Sequence, residues 1–162
     1  MNDYPITAAI RVLRRHKVEF APHVFEYVEK GGTRHSAQEL GVAEHAVIKT
    51  LVFETNRKNP FIVLMHGDWQ VSAKNLARHL GVKTVAPCAP ELANKLTGYL
   101  VGGTSPFGLK TPMPIYAEKT IFALEKIYLN GGKRGFLAEL TPEILRQVLK
   151  VQEVEVGIAD CG

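Results

Sequence analysis

Two stretches carry residue types with chemical potential. In the first, Ile48-Lys49-Thr50-Leu51-Val52-Phe53, a lysine interrupts an otherwise apolar strand. An unpaired ammonium is costly to bury, so Lys49 either snorkels to the rim of a sheet or points into a polar cavity, and lysine's usual exposure favours the rim. In the second, Thr97-Gly98-Tyr99-Leu100-Val101-Gly102-Gly103-Thr104-Ser105-Pro106-Phe107-Gly108, twelve residues hold four glycines, three aliphatic hydroxyls and one proline. That composition builds a tightly shaped loop with exposed backbone N–H groups, suited either to a structural turn or to a cradle for an anion or polarised carbonyl.

Other chemistries find less support. Asn130-Gly131-Gly132-Lys133-Arg134-Gly135 is a second, basic glycine loop, but neither loop has the GxGxxG fingerprint. Gly132-Lys133 lacks the earlier glycine and the following hydroxyl of a P-loop, so ATP-driven chemistry is not expected. His16, His23, His35, His45, His66 and His79 show no HExxH or paired metal spacing and read as surface or hydrogen-bonded side chains. No metal and no other cofactor is expected. Cys88 lacks a nucleophile elbow and reads as a small buried thiol, while Cys161 lies far away in the C-terminal tail. Two distant cysteines suit a reducing, cytoplasmic setting.

The chain must fold to bring these stretches together. Its 162 residues fit one domain, long enough to bury roughly 70% of the unfolded surface. A hydrophobic fraction of 46% and a charged fraction of 22% exclude disordered and fibrous classes. No secretory h-region and no run of 18 apolar residues is present, so neither export nor a membrane span is expected. The net charge of +4 is a mild bias compatible with a polyanionic partner.

Apolar periodicity predicts a helix over Pro5–His16 and an edge strand over Glu19–Tyr27, interrupted by Pro22. Ser36-Ala37-Gln38-Glu39 has the spacing of a capping box that starts a short helix ended by Gly41. Ile48–Phe53 and Pro60–Met65 form a hairpin across Asn56–Asn59. Ser72 caps a helix that Gly81 closes, and Pro90 opens another. Further strands are expected at 82–86, 115–117, 126–129, 136–140 and 151–156, with a helix starting at Thr141-Pro142-Glu143. The expected architecture is one α+β domain over residues 1–156, a mixed and strongly curved, barrel-like sheet surrounded by helices, with residues 157–162 as a frayed tail.

The order and spacing of Ile48-Lys49-Thr50-Leu51, the Thr97–Gly108 stretch and Ile127-Tyr128-Leu129-Asn130-Gly131-Gly132-Lys133-Arg134-Gly135 resemble the YbaK/EbsC family of aminoacyl-tRNA deacylases, from about Ala8 to Leu149. The resemblance implies a free-standing trans-editing hydrolase, homologous to the editing domain of bacterial prolyl-tRNA synthetases. Such an enzyme cleaves the ester between a wrong amino acid and the tRNA 3′ end. The implied substrate is Cys-tRNA(Pro), with another small residue such as alanine as the alternative. A non-catalytic tRNA- or synthetase-binding module of the same fold is a further reading. Mischarged tRNA, chiefly tRNA-Pro, is the implied partner, together with prolyl-tRNA synthetase.

Carried onto this chain, the resemblance makes Lys49 and Gly102 catalytic. Gly103, Thr104, Ser105 and Pro106 complete the substrate-binding Gly-x-x-x-P loop. Phe25, Asn130 and Leu137 stand where relatives have a tyrosine, a serine and an aspartate, and so line the amino-acid pocket differently. Lys133 and Arg134 are the expected tRNA contacts. No protein nucleophile is legible, which leaves either a positioned water or, for a cysteinyl ester, the substrate's own thiol.

Overall fold

The first helix begins where a hydroxyl can take over an orphan amide. In the computed structural model, which describes residues 3–159, Thr7 Oγ1 accepts the Ile10 N–H at 3.2 Å and starts α1 (Ala8–Arg15). The helix therefore begins after Pro5, because threonine supplies a cap that proline cannot. Ala9, Ile10 and Leu13 form its buried face. β1 (Ala21–Val24) follows and lies at one end of the sheet, where the missing amide of Pro22 is tolerated.

The capping box at Ser36 is not used. α2 (Gly32–Leu40) starts earlier, and Ser36 Oγ donates to the Gly32 carbonyl one turn back at 3.0 Å. Gly41 ends the helix in the left-handed region, as its position predicts. A 3₁₀ turn at Glu44–Ala46 leads into the hairpin β2 (Val47–Thr55) and β3 (Pro60–His66). After β4 (Trp69–Val71), Ser72 caps α3 (Ala73–Leu80), β5 (Val85–Pro87) returns, and Pro90 opens α4 (Pro90–Thr97). Past the Thr97–Gly108 stretch come β6 (Ile115–Glu118), a 3₁₀ segment at Lys119–Ala123, β7 (Ile127–Lys133) and β8 (Phe136–Leu140). The expected helix after Thr141 is a short π-helical segment, Leu145–Leu149, before β9 (Gln152–Val154) and β10 (Gly157–Ala159).

The main sheet is mixed and open, in the order β1-β8-β7-β2-β3-β6-β9, with β5 also paired to β2. This is a single α+β domain whose sheet path does not close into a barrel. Its centre is the β2–β3 hairpin. Val63, Leu64 and Met65 are fully buried in succession, so β3 is covered on both faces. Ile62 and Leu64 join α1, β7 and β8 in the larger core, whereas Phe61, Val63 and Met65 pack with Leu76 and Ala77 of α3. Each such side chain contributes about 1.5–3 kcal/mol by leaving water.

Two expectations about loops change. Asn130–Lys133, read as a glycine loop, belongs to β7 and carries a bulge between Asn130 and Lys133. Residues 157–159, expected within the tail, form β10 and pair antiparallel with β4. Buried Glu118 anchors this segment: its Oε1 accepts the amides of Val156 at 2.7 Å and Gly157 at 2.8 Å. The rest of the tail, with Cys161, lies outside the described residues.

Candidate functional site

Lys49 sits where the sheet divides. β7 runs parallel to β2 through the pairs Val47↔Tyr128 and Ile48↔Leu129, while β5 pairs with β2 only from Phe53 to Thr55. Lys49 and Asn130 are the residues that follow the last β2–β7 pair. Side chains alternate along strands, so Val47 and Lys49 share one face with Tyr128, Asn130 and Leu137, the last being the direct partner of Asn130. Phe25, just beyond β1, packs on this face with Val47, Leu137 and Tyr128. Lys49, Asn130, Leu137 and Phe25, distant in sequence, thus share one face of the sheet.

The glycine loop is fastened to this face from above. Asn130 Nδ2 donates to the Gly102 carbonyl at 2.9 Å, and Asn130 Oδ1 accepts the Gly132 amide at 2.9 Å. Arg134 Nε donates to the Val101 carbonyl at 2.9 Å. Gly102 has φ +94, and a Cβ there would lie 2.9 Å from the Tyr27 hydroxyl. Glycine is needed on both counts.

Inside the loop, the hydroxyls serve its own shape. Thr104 Oγ1 donates to the Leu100 carbonyl at 3.4 Å, and fully buried Ser105 accepts the Phe107 amide on its Oγ at 3.2 Å. Pro106 is buried beside them. Gly103 N–H closes a turn onto the Leu100 carbonyl at 2.8 Å. Among the described residues, the amides of Gly102, Thr104 and Ser105 donate no hydrogen bond. The amides of Leu100 and Gly108 likewise donate none among the described residues. The Thr104 and Ser105 hydroxyls are thus committed within the loop.

Tyr99 holds the loop's ends together by donating its hydroxyl to the Phe107 carbonyl at 2.5 Å. Burial pushes this phenol up to about 12, so it remains a donor throughout the neutral range. Tyr99→Phe removes the donor and leaves a buried carbonyl without its partner. A loss of about 1–3 kcal/mol is expected from urea denaturation. An unchanged midpoint would mean that packing alone closes the loop.

The Lys49 ammonium donates to the Trp69 carbonyl at the start of β4. Trp69 was not singled out from sequence, and only its position as the lone tryptophan after a Gly67-Asp68 turn hinted at it. Its ring packs on Gly157, where a Cβ would come within 2.4 Å, and it meets His45 and His66 edge-on. The β10 segment therefore braces the carbonyl that receives Lys49.

His45 and His66 stack with ring centroids 3.6 Å apart. His66 Nδ1 donates to the His45 carbonyl at 2.7 Å, and its Nε2 accepts from Thr120 Oγ1 at 2.7 Å, which fixes a neutral tautomer. Burial is the main cause that lowers its pKa below 6.5, opposed by the His45 carbonyl. The unfolded chain consequently takes up this proton first as pH falls. Stability linked to His66 is present above pH 6.5 and declines below it, toward the depressed folded value. Urea midpoints at pH 7.5 and about 5.5 are expected to differ less in His66→Asn than in the wild type; equal differences would remove His66 as a cause.

Cys88 is buried, and its thiol contacts Glu54 Oε2 at 3.8 Å. Burial first, and the Glu54 carboxylate second, push it up to about 11, so it stays protonated and is no nucleophile at neutral pH. Arg134 and Lys133 are exposed at the β7–β8 turn, but Arg134 is already committed through Nε and lies 5.2 Å over the Tyr27 ring.

The open mixed sheet, with the lysine on its face and the glycine loop pinned beside it, defines a single-domain α+β protein. The chain belongs to the aminoacyl-tRNA editing domain family, whose model matches residues 32–148. It is 31% identical over 151 residues to EbsC of Enterococcus faecalis, named as a candidate Cys-tRNA(Pro)/Cys-tRNA(Cys) deacylase, covering 93% of this chain and 92% of that one. A proline–tRNA ligase of Streptococcus equi subsp. equi is 31% identical over 121 residues, 73% of this chain but only 19% of the ligase. A crystal structure described as a candidate trans-editing enzyme for prolyl-tRNA synthetase superposes with a TM-score of 0.82 at 22% identity, covering 96% of this chain and 100% of that one. Among the described residues, no helix is long and apolar enough to cross a membrane.

Proposed function

We propose that this protein is a trans-editing hydrolase that removes a small, wrongly attached amino acid from tRNA-Pro in the cytoplasm, with Cys-tRNA(Pro) as its main substrate and prolyl-tRNA synthetase as the source of the error. The observation that carries the reading is that the strand register sets Lys49 on the same sheet face as Asn130, whose Nδ2 holds the Gly102 carbonyl at 2.9 Å. The name carried by the Enterococcus relative supports the choice of cysteine.

In this reading the loop amides orient the ester carbonyl and take up the charge that develops on its oxygen, as oxyanion donors do. Lys49 acts as a point charge on the terminal ribose or phosphate. Phe25 and Leu137 give the amino-acid pocket an apolar wall, which suits a small uncharged side chain. A cysteinyl ester supplies its own nucleophile: the substrate sulfur bonds to its carbonyl carbon, the ester C–O bond breaks, and the tRNA 3′-terminal ribose oxygen leaves with the thiol proton. The cysteine departs as a thiolactone.

Deacylation of Cys-, Ala-, Ser- and Pro-charged tRNA-Pro tests both substrate and nucleophile. Rapid release of cysteine with slow release of serine is expected, because a hydroxyl of nearly the same shape is a poorer nucleophile. Preferential release of alanine would replace cysteine as substrate and require water. Tight tRNA binding with no turnover on any of the four would leave a binding module instead.

A further inference from the structure

Beside the site lies an exposed surface of unusual chemistry. Leu100 is 59% and Val101 45% exposed at the tip of the glycine loop, and Tyr27 is 36% exposed next to them. Loop tips ordinarily carry small or polar residues. The Arg134 guanidinium joins the two parts, since it lies 5.2 Å over the Tyr27 ring while its Nε holds the Val101 carbonyl at 2.9 Å. The Tyr27 hydroxyl fills the space that a side chain on Gly102 would take, 2.9 Å from the position of its Cβ, and Asn130 holds the Gly102 carbonyl. Tyr27, Arg134, Val101 and Leu100 therefore form one continuous ledge that runs out from the ester-binding loop.

We propose that this ledge stacks the unpaired 3′-terminal nucleobase of the substrate RNA. The inference rests on the proposed action on aminoacyl-tRNA. In such a substrate the ester oxygen and the terminal base share one ribose, so a carbonyl held by the Gly102 loop must leave its base against the adjoining surface. The ledge offers an aromatic ring, a guanidinium plane and apolar side chains, groups on which single-stranded bases stack without regard to sequence. Exposed Lys133, next to Arg134, supplies positive charge for the phosphate on the 5′ side of that base. Arg134 is thus a stacking and positioning residue, with its Nε already occupied.

The test uses the full-length protein and a tRNA acceptor hairpin whose terminal adenine is replaced by fluorescent 2-aminopurine. Saturable quenching on binding to the wild type is expected, with affinity about tenfold weaker for Tyr27→Leu and for the Leu100→Ser/Val101→Ser double variant. With mischarged tRNA, the double variant is expected to raise KM about tenfold and leave kcat within about twofold, as loss of uniform binding does. Circular dichroism checks that both variants fold.

Binding without quenching, in a wild type that hydrolyses mischarged tRNA, overturns the ledge and leaves the proposed function standing. Quenching that the variants weaken, in a protein that hydrolyses no mischarged tRNA, supports the ledge and overturns the function. If the double variant keeps full quenching but no longer binds prolyl-tRNA synthetase, the ledge is a protein-docking surface and the proposal fails.

Discussion

Lys49→Ala is expected to fold normally and lose about 10²–10³-fold in kcat/KM for mischarged tRNA, the size of effect seen when one preorganised charge-stabilising donor is removed. The fold should survive because Lys49 is only partly buried and contributes its ammonium, not its stem, to a hydrogen bond with the Trp69 carbonyl. Lys49→Arg should rescue little. A guanidinium is a planar fork, whereas the ammonium beside Trp69 acts as a compact point charge. Single-turnover deacylation separates the loss of chemistry from the loss of tRNA binding. Full activity in a folded Lys49→Ala protein would remove this lysine from the mechanism and, with it, the reason for placing the ester on this sheet face.

The hairpin that carries Lys49 was legible because its cause is local. Apolar runs at 48–53 and 60–65 flank a polar turn, and no tertiary contact competes with that pattern. Gly41, Gly81 and Pro90 likewise mark helix ends by backbone chemistry that holds in any context. Ser36 misled because a serine can satisfy its hydroxyl one turn back inside a helix, which sequence spacing does not reveal. The Asn130–Lys133 segment misled for a different reason. Its glycines serve close packing inside a strand: a Cβ on Gly131 would meet the Phe136 ring at 2.4 Å, and one on Gly132 the Tyr99 ring at 2.8 Å.

For the candidate site, the unusual residue types stood out in the sequence and their arrangement did not. Lys49 and the glycine loop stood out as chemical oddities, but composition could not tell a pinned loop from a free one. The pins are Asn130, Arg134 and Tyr27, which act across long sequence separations, and Tyr99, which closes the loop locally onto Phe107. Trp69 and β10 were hidden for the same reason. A short strand such as Gly157–Ala159 has too few residues to show a period, and the buried Glu118 that anchors it looks in sequence like any surface acid.

Gly103→Ala is expected to lower the rate of ester hydrolysis about 10²-fold, by moving the loop and not by unfolding the protein. The methyl group would sit 2.9 Å from the Arg134 nitrogen, 3.1 Å from the Lys133 carbonyl carbon and 3.2 Å from its Cα, all backbone atoms of the β7–β8 turn. A flexible side chain could yield to it; this hairpin, held by β8 on β7 and β1, cannot. The loop must shift instead, and the amides of Thr104 and Ser105 shift with it. Gly81→Ala is the control. It costs about 1–2 kcal/mol from a left-handed backbone with no neighbour within 4 Å of the new methyl, at the end of α3. Both variants should lose stability, and only Gly103→Ala should lose turnover in excess of the fraction unfolded. Equal activities at equal folded concentrations would mean that the loop tolerates displacement, and that its amides do not set the position of the ester carbonyl.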